Sequence, residues 1–243
     1  MTLEEKNLTI PNELIARDNN YNLTSDFVMS SKASDKISKL GIKGELQLSI
    51  LCGAVSVRGS ASYIEENKSS KKAVQCSFVQ KIQTVDESIN IKHVDLRDIY
   101  SQNIGEDGTH VVFKISWGAN ATVTLTYENE ENLAHSEIEG KLKLGLEKLK
   151  SVAAKVTGQV SGNMKSNEIL TSQQLKLNVY ADVMANEQGA PRNLEEALEL
   201  IYNMPKRVSE TEGGKGKKLL FYLIPLSVMK RHLDIQLGPD AIL

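Results

Sequence analysis

Residues 108–127, GTHVVFKISWGANATVTLTY, constrain the fold more than any other stretch of the chain. The odd positions Thr109, Val111, Phe113, Ile115, Trp117, Ala119, Ala121, Val123, Leu125 and Tyr127 are apolar or nearly so. The even positions are polar or small, Val112 excepted. A strict two-residue period belongs to a β-strand with one buried face, because a helix would spread the same set around all sides. Ordinary strands run about 5–6 residues, whereas this one would reach roughly 60 Å. A strand of that length is expected to bend, with Gly118 near its middle as the place to do so.

The rest of the chain reads as alternating sheet and mixed-period segments. Residues 24–31 form a weak strand, and 73–85 a second, with Val74, Cys76, Phe78 and Ile82 on one face. Residues 172–185 supply a further strand, with Leu175, Leu177, Val179, Ala181 and Val183 in phase. Asn193 is placed to cap a helix over 194–204 that stops at Pro205, and 218–225 is an apolar strand. Two segments change period within themselves. In 32–68, helical spacing at Ile37 and Leu40 gives way to alternation at Leu46, Leu48, Ile50, Cys52 and Ala54; after Gly53 the phase slips to Leu51, Val55 and Val57. In 131–167, with Asn132 or Ser136 as N-cap, Ile138, Leu142, Leu146, Leu149 and Val152 mark an amphipathic helix. That helix runs into Val152, Ala154, Val156, Gly158, Val160, Gly162 and Met164, spaced as in a strand. Residues 1–21 read as a polar arm, 22–230 as one domain, and 231–243 as a tail.

Bulk properties remove several function classes. A length of 243 residues permits a sizeable core, and a formal net charge of -2 gives no general attraction to nucleic acid or anionic membranes. Two cysteines, Cys52 and Cys76, are too few for a disulfide framework and sit among apolar neighbours as buried free thiols. The start MTLEEKNLTI has no basic region leading into an apolar core, so a leaderless protein is expected, cytoplasmic or released without a signal peptide. The four histidines and two cysteines have no zinc-site spacing, and His110 beside Gly108 and Thr109 is expected to support the turn or sheet bend. Gly213-Gly214-Lys215-Gly216-Lys217-Lys218 lacks the phosphate-loop frame and reads as a surface loop. Lys141, Lys143, Lys148, Lys150 and Lys155 are interleaved with Glu137, Glu139 and Glu147, which makes a solvated face the better reading than a lipid-binding one. No catalytic constellation can be argued, so neither an enzyme nor a cofactor is expected.

Several words occur in collinear order: Leu51-Cys52-Gly53-Ala54-Val55-Ser56-Val57-Arg58-Gly59-Ser60-Ala61-Ser62-Tyr63, Gly108-Thr109-His110-Val111-Val112, Trp117-Gly118-Ala119-Asn120-Ala121, Glu137-Ile138-Glu139-Gly140-Lys141, and Tyr222-Leu223-Ile224-Pro225-Leu226 after the 194–205 helix. With them the chain resembles, over about residues 22–230, the stonustoxin-like branch of the membrane-attack-complex/perforin (MACPF) and cholesterol-dependent cytolysin (CDC) superfamily. The resemblance implies an α+β fold: a bent four-stranded antiparallel sheet flanked by two helical clusters, here 32–68 and 131–167. It further implies a pore-forming protein that is soluble alone, oligomerises on a lipid membrane with itself or a related subunit, and unwinds both clusters into β-hairpins. Leu46, Leu48, Ile50, Val55, Val57, Val152, Ala154, Val156, Val160 and Met164 would then face the lipid or line the inserted strands. A bilayer-spanning strand needs only ~9–11 residues of such alternation, which 46–54 and 152–164 provide. Gly108, Thr109, His110, Trp117 and Gly118 would sit at the sheet bend and core. The alternative reading is a non-lytic protein-interaction module of the same fold within a larger intracellular regulator. A third is a small-molecule-binding α+β domain.

Overall fold

The computed structural model describes residues 10–30, 32–41, 59–65, 72–93, 95–97, 109–130, 132–156, 175–183 and 191–233. Five strands, β1 (Ile15–Val28), β2 (Val74–Ile89), β3 (His110–Tyr127), β4 (Leu175–Ala181) and β5 (Lys217–Pro225), make one sheet in the order β1-β2-β3-β4, with β5 also pairing β3. Four helices are described: α1 (Ala33–Leu40), α2 (His135–Val156), α3 (Leu194–Ser209) and α4 (Leu226–His232). The sheet is antiparallel. Ala121 pairs with Ala181 and Tyr127 with Leu175. Ser77 meets Thr124 while Gln75 meets Thr126, as opposed strand directions require.

Contacts divide the chain into two units: Met1–Tyr21, Thr84–Trp117 and Lys218–Leu243 in one, Asn22–Gln83 and Gly118–Lys217 in the other. The first has a small core of Leu14, Ile89, Leu96, Met229 and Leu233. Across its strands runs a polar link, in which Asp86 accepts from Lys114 Nζ at 2.7 Å, Ser116 Oγ at 2.5 Å and Asn20 Nδ2 at 3.4 Å. Lys114 also lies 5.1 Å above the Tyr222 ring. Burial alone would push the Asp86 carboxyl up, but the hydrogen bonds from Lys114, Ser116 and Asn20 and the Lys114 charge outweigh it, and the group sits below the ordinary aspartate range. Its stabilising contribution is therefore complete above the unfolded value near 3.8 and is lost as pH falls through the lower folded value. Asp86→Asn is expected to cost about 1–2 kcal/mol at neutral pH and to flatten the acid limb of the stability curve. Urea midpoints between about pH 2 and 5 check this, and parallel wild-type and variant curves would count against it.

The second unit has three layers. Even positions of β2 (Val74, Cys76, Phe78, Ile82) and odd positions of β3 (Ala119 through Tyr127) join Ile138, Leu142 and Leu146 of α2 and Ala197, Leu200, Ile201, Met204 and Val208 of α3 in the main core. On the opposite face Val28, Val79 and partly buried Tyr180 pack with Ile37 and Leu40 of α1 and with Tyr63 and Ile64 of a 3-10 helix, Gly59–Glu65.

Three expectations from sequence are corrected. The first strand spans Ile15–Val28, nine residues earlier than the apolar pattern suggested, because residues 16–22 are exposed and carry no alternation to read. The 194–204 helix does not stop at Pro205 but continues to Ser209. Proline removes one backbone donor, yet Met204 and Val208 on either side of it are buried in the main core, and that packing carries the helix onward. At the other end Asn193 caps as its position implied, accepting from Glu196 N–H at 2.9 Å while Glu196 reaches back to the Arg192 N–H at 2.8 Å. The start of α2 also differs, since neither Asn132 nor Ser136 caps it. The Ala134 carbonyl accepts the first helical N–H groups, and the Asn129 side chain closes the preceding turn on Leu133 at 2.9 Å, in both directions.

Candidate functional site

The described parts of the two mixed-period segments, Ala33–Leu40 with Gly59–Glu65 and His135–Val156, lie on opposite faces of the sheet in the second unit, and their attachments differ chemically. α2 is held by a hydrocarbon seam. Ile138, Leu142 and Leu146 recur every four residues, all are fully buried, and α2 also packs on α3. Its outer side is charged, with Glu137 and Lys141 paired at 2.7 Å and His135 3.3 Å from Glu139, while Leu144 is exposed. Beneath it Cys76 sits in the core. Burial, with the Glu139 charge adding and Lys143 opposing, pushes its thiol up to about 12, so it is an unreactive packing group at neutral pH, as its apolar neighbours suggested.

The other face is more polar. Gln75, Ser77, Thr122, Thr124 and Thr126 are buried there, with Ser77 Oγ 3.0 Å from Thr124 Oγ1 and the Gln75 amide 3.4 Å from Thr126 Oγ1. The first segment is fixed on this side by Lys36 of α1, which is completely buried. Its ammonium donates to the Tyr63 carbonyl at 3.1 Å and lies 4.5 Å above the Tyr63 ring. Tyr63 in turn faces Tyr180 of β4 with ring centroids 6.3 Å apart. A lysine amine, two tyrosine rings and a few aliphatic side chains thus tie residue 36 to residue 63 and both to the sheet. Nothing in the sequence signals this. Lys36 lies on a helix with a strong amphipathic pattern, where lysine normally marks the solvent side.

Of the sequence-predicted insertion residues, Val152, Ala154 and Val156 lie in the last turns of α2. Leu46, Leu48, Ile50, Val55, Val57, Val160 and Met164 fall outside the described residues, as do Cys52 and Gly108. Thr109 is exposed, and its carbonyl accepts from Leu226 N–H at 2.9 Å. His110 is also exposed, with Nδ1 3.0 Å from Thr109 Oγ1, a local contact at the start of β3. Trp117 is buried, with Lys218 Nζ 5.4 Å from its ring centroid. Gly118 marks a close backbone approach: a Cβ there would fall 1.8 Å from the Ile82 carbonyl oxygen. Among the described residues no helix is long and apolar enough to cross a membrane, and no three His, Cys, Asp or Glu side chains gather as a metal site.

A family model described as "SNTX, MACPF/CDC-like domain" matches residues 5–237. Cytolytic toxin-alpha of Scorpaena plumieri is 26% identical over 221 residues, 87% of this chain and 30% of the relative. Stonustoxin subunit beta of Synanceia horrida is 25% identical over 205 residues, 83% of this chain and 28% of the relative. The chain thus spans less than a third of the length of these relatives. A solved stonustoxin structure superposes with a TM-score of 0.59 at 20% identity, covering 90% of this chain and 29% of that one.

Proposed function

Because the chain belongs to the SNTX, MACPF/CDC-like domain family, we propose that it is the membrane-acting part of a cytolytic, pore-forming protein whose two sheet-flanking segments convert to β-hairpins. One observation carries this reading. Val152, Ala154 and Val156 recur with the two-residue period of a strand, and the two valines are β-branched, yet they end a helix. A segment whose local preference contradicts its fold is poised for a second conformation. The hydrocarbon seam at Ile138, Leu142 and Leu146 holds α2 on the sheet until membrane contact competes with it. Among the described residues β1 pairs only with β2, which leaves a sheet edge for a neighbouring copy or related subunit. Relatives named as alpha and beta toxin subunits make a second type of subunit a reasonable partner.

Dye release from liposomes, with negative-stain images of the same sample, tests the reading. Release with rings is expected, and Val156→Asp, which places a charge in the inserting strand, is expected to reduce release severalfold, with its urea midpoint measured alongside to separate lost insertion from lost stability. Intact liposomes with monomeric protein would overturn it in favour of the non-lytic interaction module. A specific feature favours that second reading. On β5, Leu220 and Tyr222 on one face and Phe221 and Leu223 on the other are between 41% and 58% exposed, apolar side chains open to a protein partner.

A further inference from the structure

Beside α1, in the second unit, a cleft of about 320 Å³ opens between β1, α1 and β2. Thr24 and Asp26 form one wall, Ser38 and Lys39 another, and Lys81 the third, over a floor of buried Val79. Asp26 is ion-paired with Lys39. Lys81 projects from the same face of β2 as Val79 and ends against the C-terminal turn of α1, where a Cβ on Gly41 would lie 3.7 Å from its Nζ. Two lysines and one carboxylate therefore line the cleft, and hydroxyl groups stand on two of the three walls. Burial, with the neighbouring Lys39 charge adding and Asp26 opposing, holds the Lys81 amine below the ordinary lysine value.

We propose that this cleft binds a phosphate-type oxyanion, gripped by Lys81 and Lys39 with hydroxyl donors from Thr24 and Ser38. A tetrahedral anion accepts hydrogen bonds in several directions at once, which suits donors spread over separate walls. One negative charge balances the cleft. Its volume is at the small end of ligand sites, enough for a phosphate and a short substituent. The anion would bridge α1 to β1 and β2, and so add to the hold on the first mixed-period segment. Neither the site nor its test depends on pore formation.

Titration of the full chain with inorganic phosphate, against chloride at matched ionic strength, provides the test by thermal shift and by amide NMR of β2 and α1. A saturable response is expected, weakened about tenfold or more by Lys81→Gln and unchanged by Lys206→Gln on α3. Should Lys81→Gln fail to fold, Lys39→Gln at the exposed wall carries the same expectation. Phosphatidylcholine vesicles with and without phosphatidylglycerol then identify the source. Competition with phosphate assigns the site to a lipid headgroup, and phosphate binding without competition assigns it to a soluble phosphate. A non-saturable response, or equal affinity in the lysine variants, would overturn the proposal.

Discussion

Gly118→Ala is expected to destabilise the protein by about 3 kcal/mol or more, the largest effect of an added methyl group among the described glycines. The added Cβ would meet the Ile82 oxygen at 1.8 Å, the Ile82 carbonyl carbon at 2.9 Å and the Gln83 Cα at 3.0 Å. All three are backbone atoms of β2, so no side chain can swing aside; the strand itself must move, and with it the core side chains Phe78 and Ile82. The far side is equally crowded, since a Cβ on Gly216 would lie 2.4 Å from the Gly118 oxygen. Gly140→Ala on α2 is the matched control. Nothing lies within 4 Å of its Cβ position, and helix propensity predicts a gain of about 0.5–1 kcal/mol. Urea unfolding of the pair is expected to give opposite signs, and equal small effects would show that β2 and β3 are not in close contact at Gly118.

Loss of Lys36 is expected to have the next largest effect, confined to the first mixed-period segment. Lys36→Ala removes a fully buried side chain together with its hydrogen bond to the Tyr63 carbonyl, at a cost of about 3 kcal/mol. Lys36→Met keeps most of the volume and loses the charged donor, so about 1–2 kcal/mol is expected. An apolar isostere also escapes the cost of burying an ammonium, which narrows the difference. Hydrogen exchange distinguishes a local from a global effect. Amides of α1 and of Gly59–Glu65 should lose protection first, while those of α3 keep theirs. Uniform loss across both would mean that Lys36 supports the whole unit.

How much of this was legible in the sequence depended on whether burial left a periodic trace. The strand centred on Trp117 and Gly118 was plain because one face is core from Ala119 to Tyr127. β1 was not, because residues 16–22 are exposed on both faces and are held by pairing with β2, a relation between segments over sixty residues apart. The end of α3 differs from its local signal because the effect of Pro205 is outweighed by the burial of Met204 and Val208 on either side of it. The helical part of α2 follows from the four-residue spacing of Ile138, Leu142 and Leu146, whereas most of the alternating residues of both segments lie outside the described residues. The Lys36–Tyr63 contact, the Asp86 link and the oxyanion cleft share one reason for being invisible. Each joins polar residues from separate elements, and a polar residue looks the same in sequence whether it faces water, an aromatic ring or another charge.

The muted thiol beneath α2 is a built-in reporter. Cys76 belongs to the hydrocarbon seam, close enough to Glu139 and Lys143 for their charges to act on it, with Met29 Sδ 3.0 Å from its sulfur. While the helix stays seated, alkylating reagents find almost no thiolate and no path to it. If the helix lifts, as the proposed conversion requires, the sulfur recovers an ordinary acidity and becomes a target. In a chain with Cys52 changed to serine, the rate of Cys76 labelling would therefore clock the lifting of α2, in solution or on a vesicle, with no dye or tether introduced.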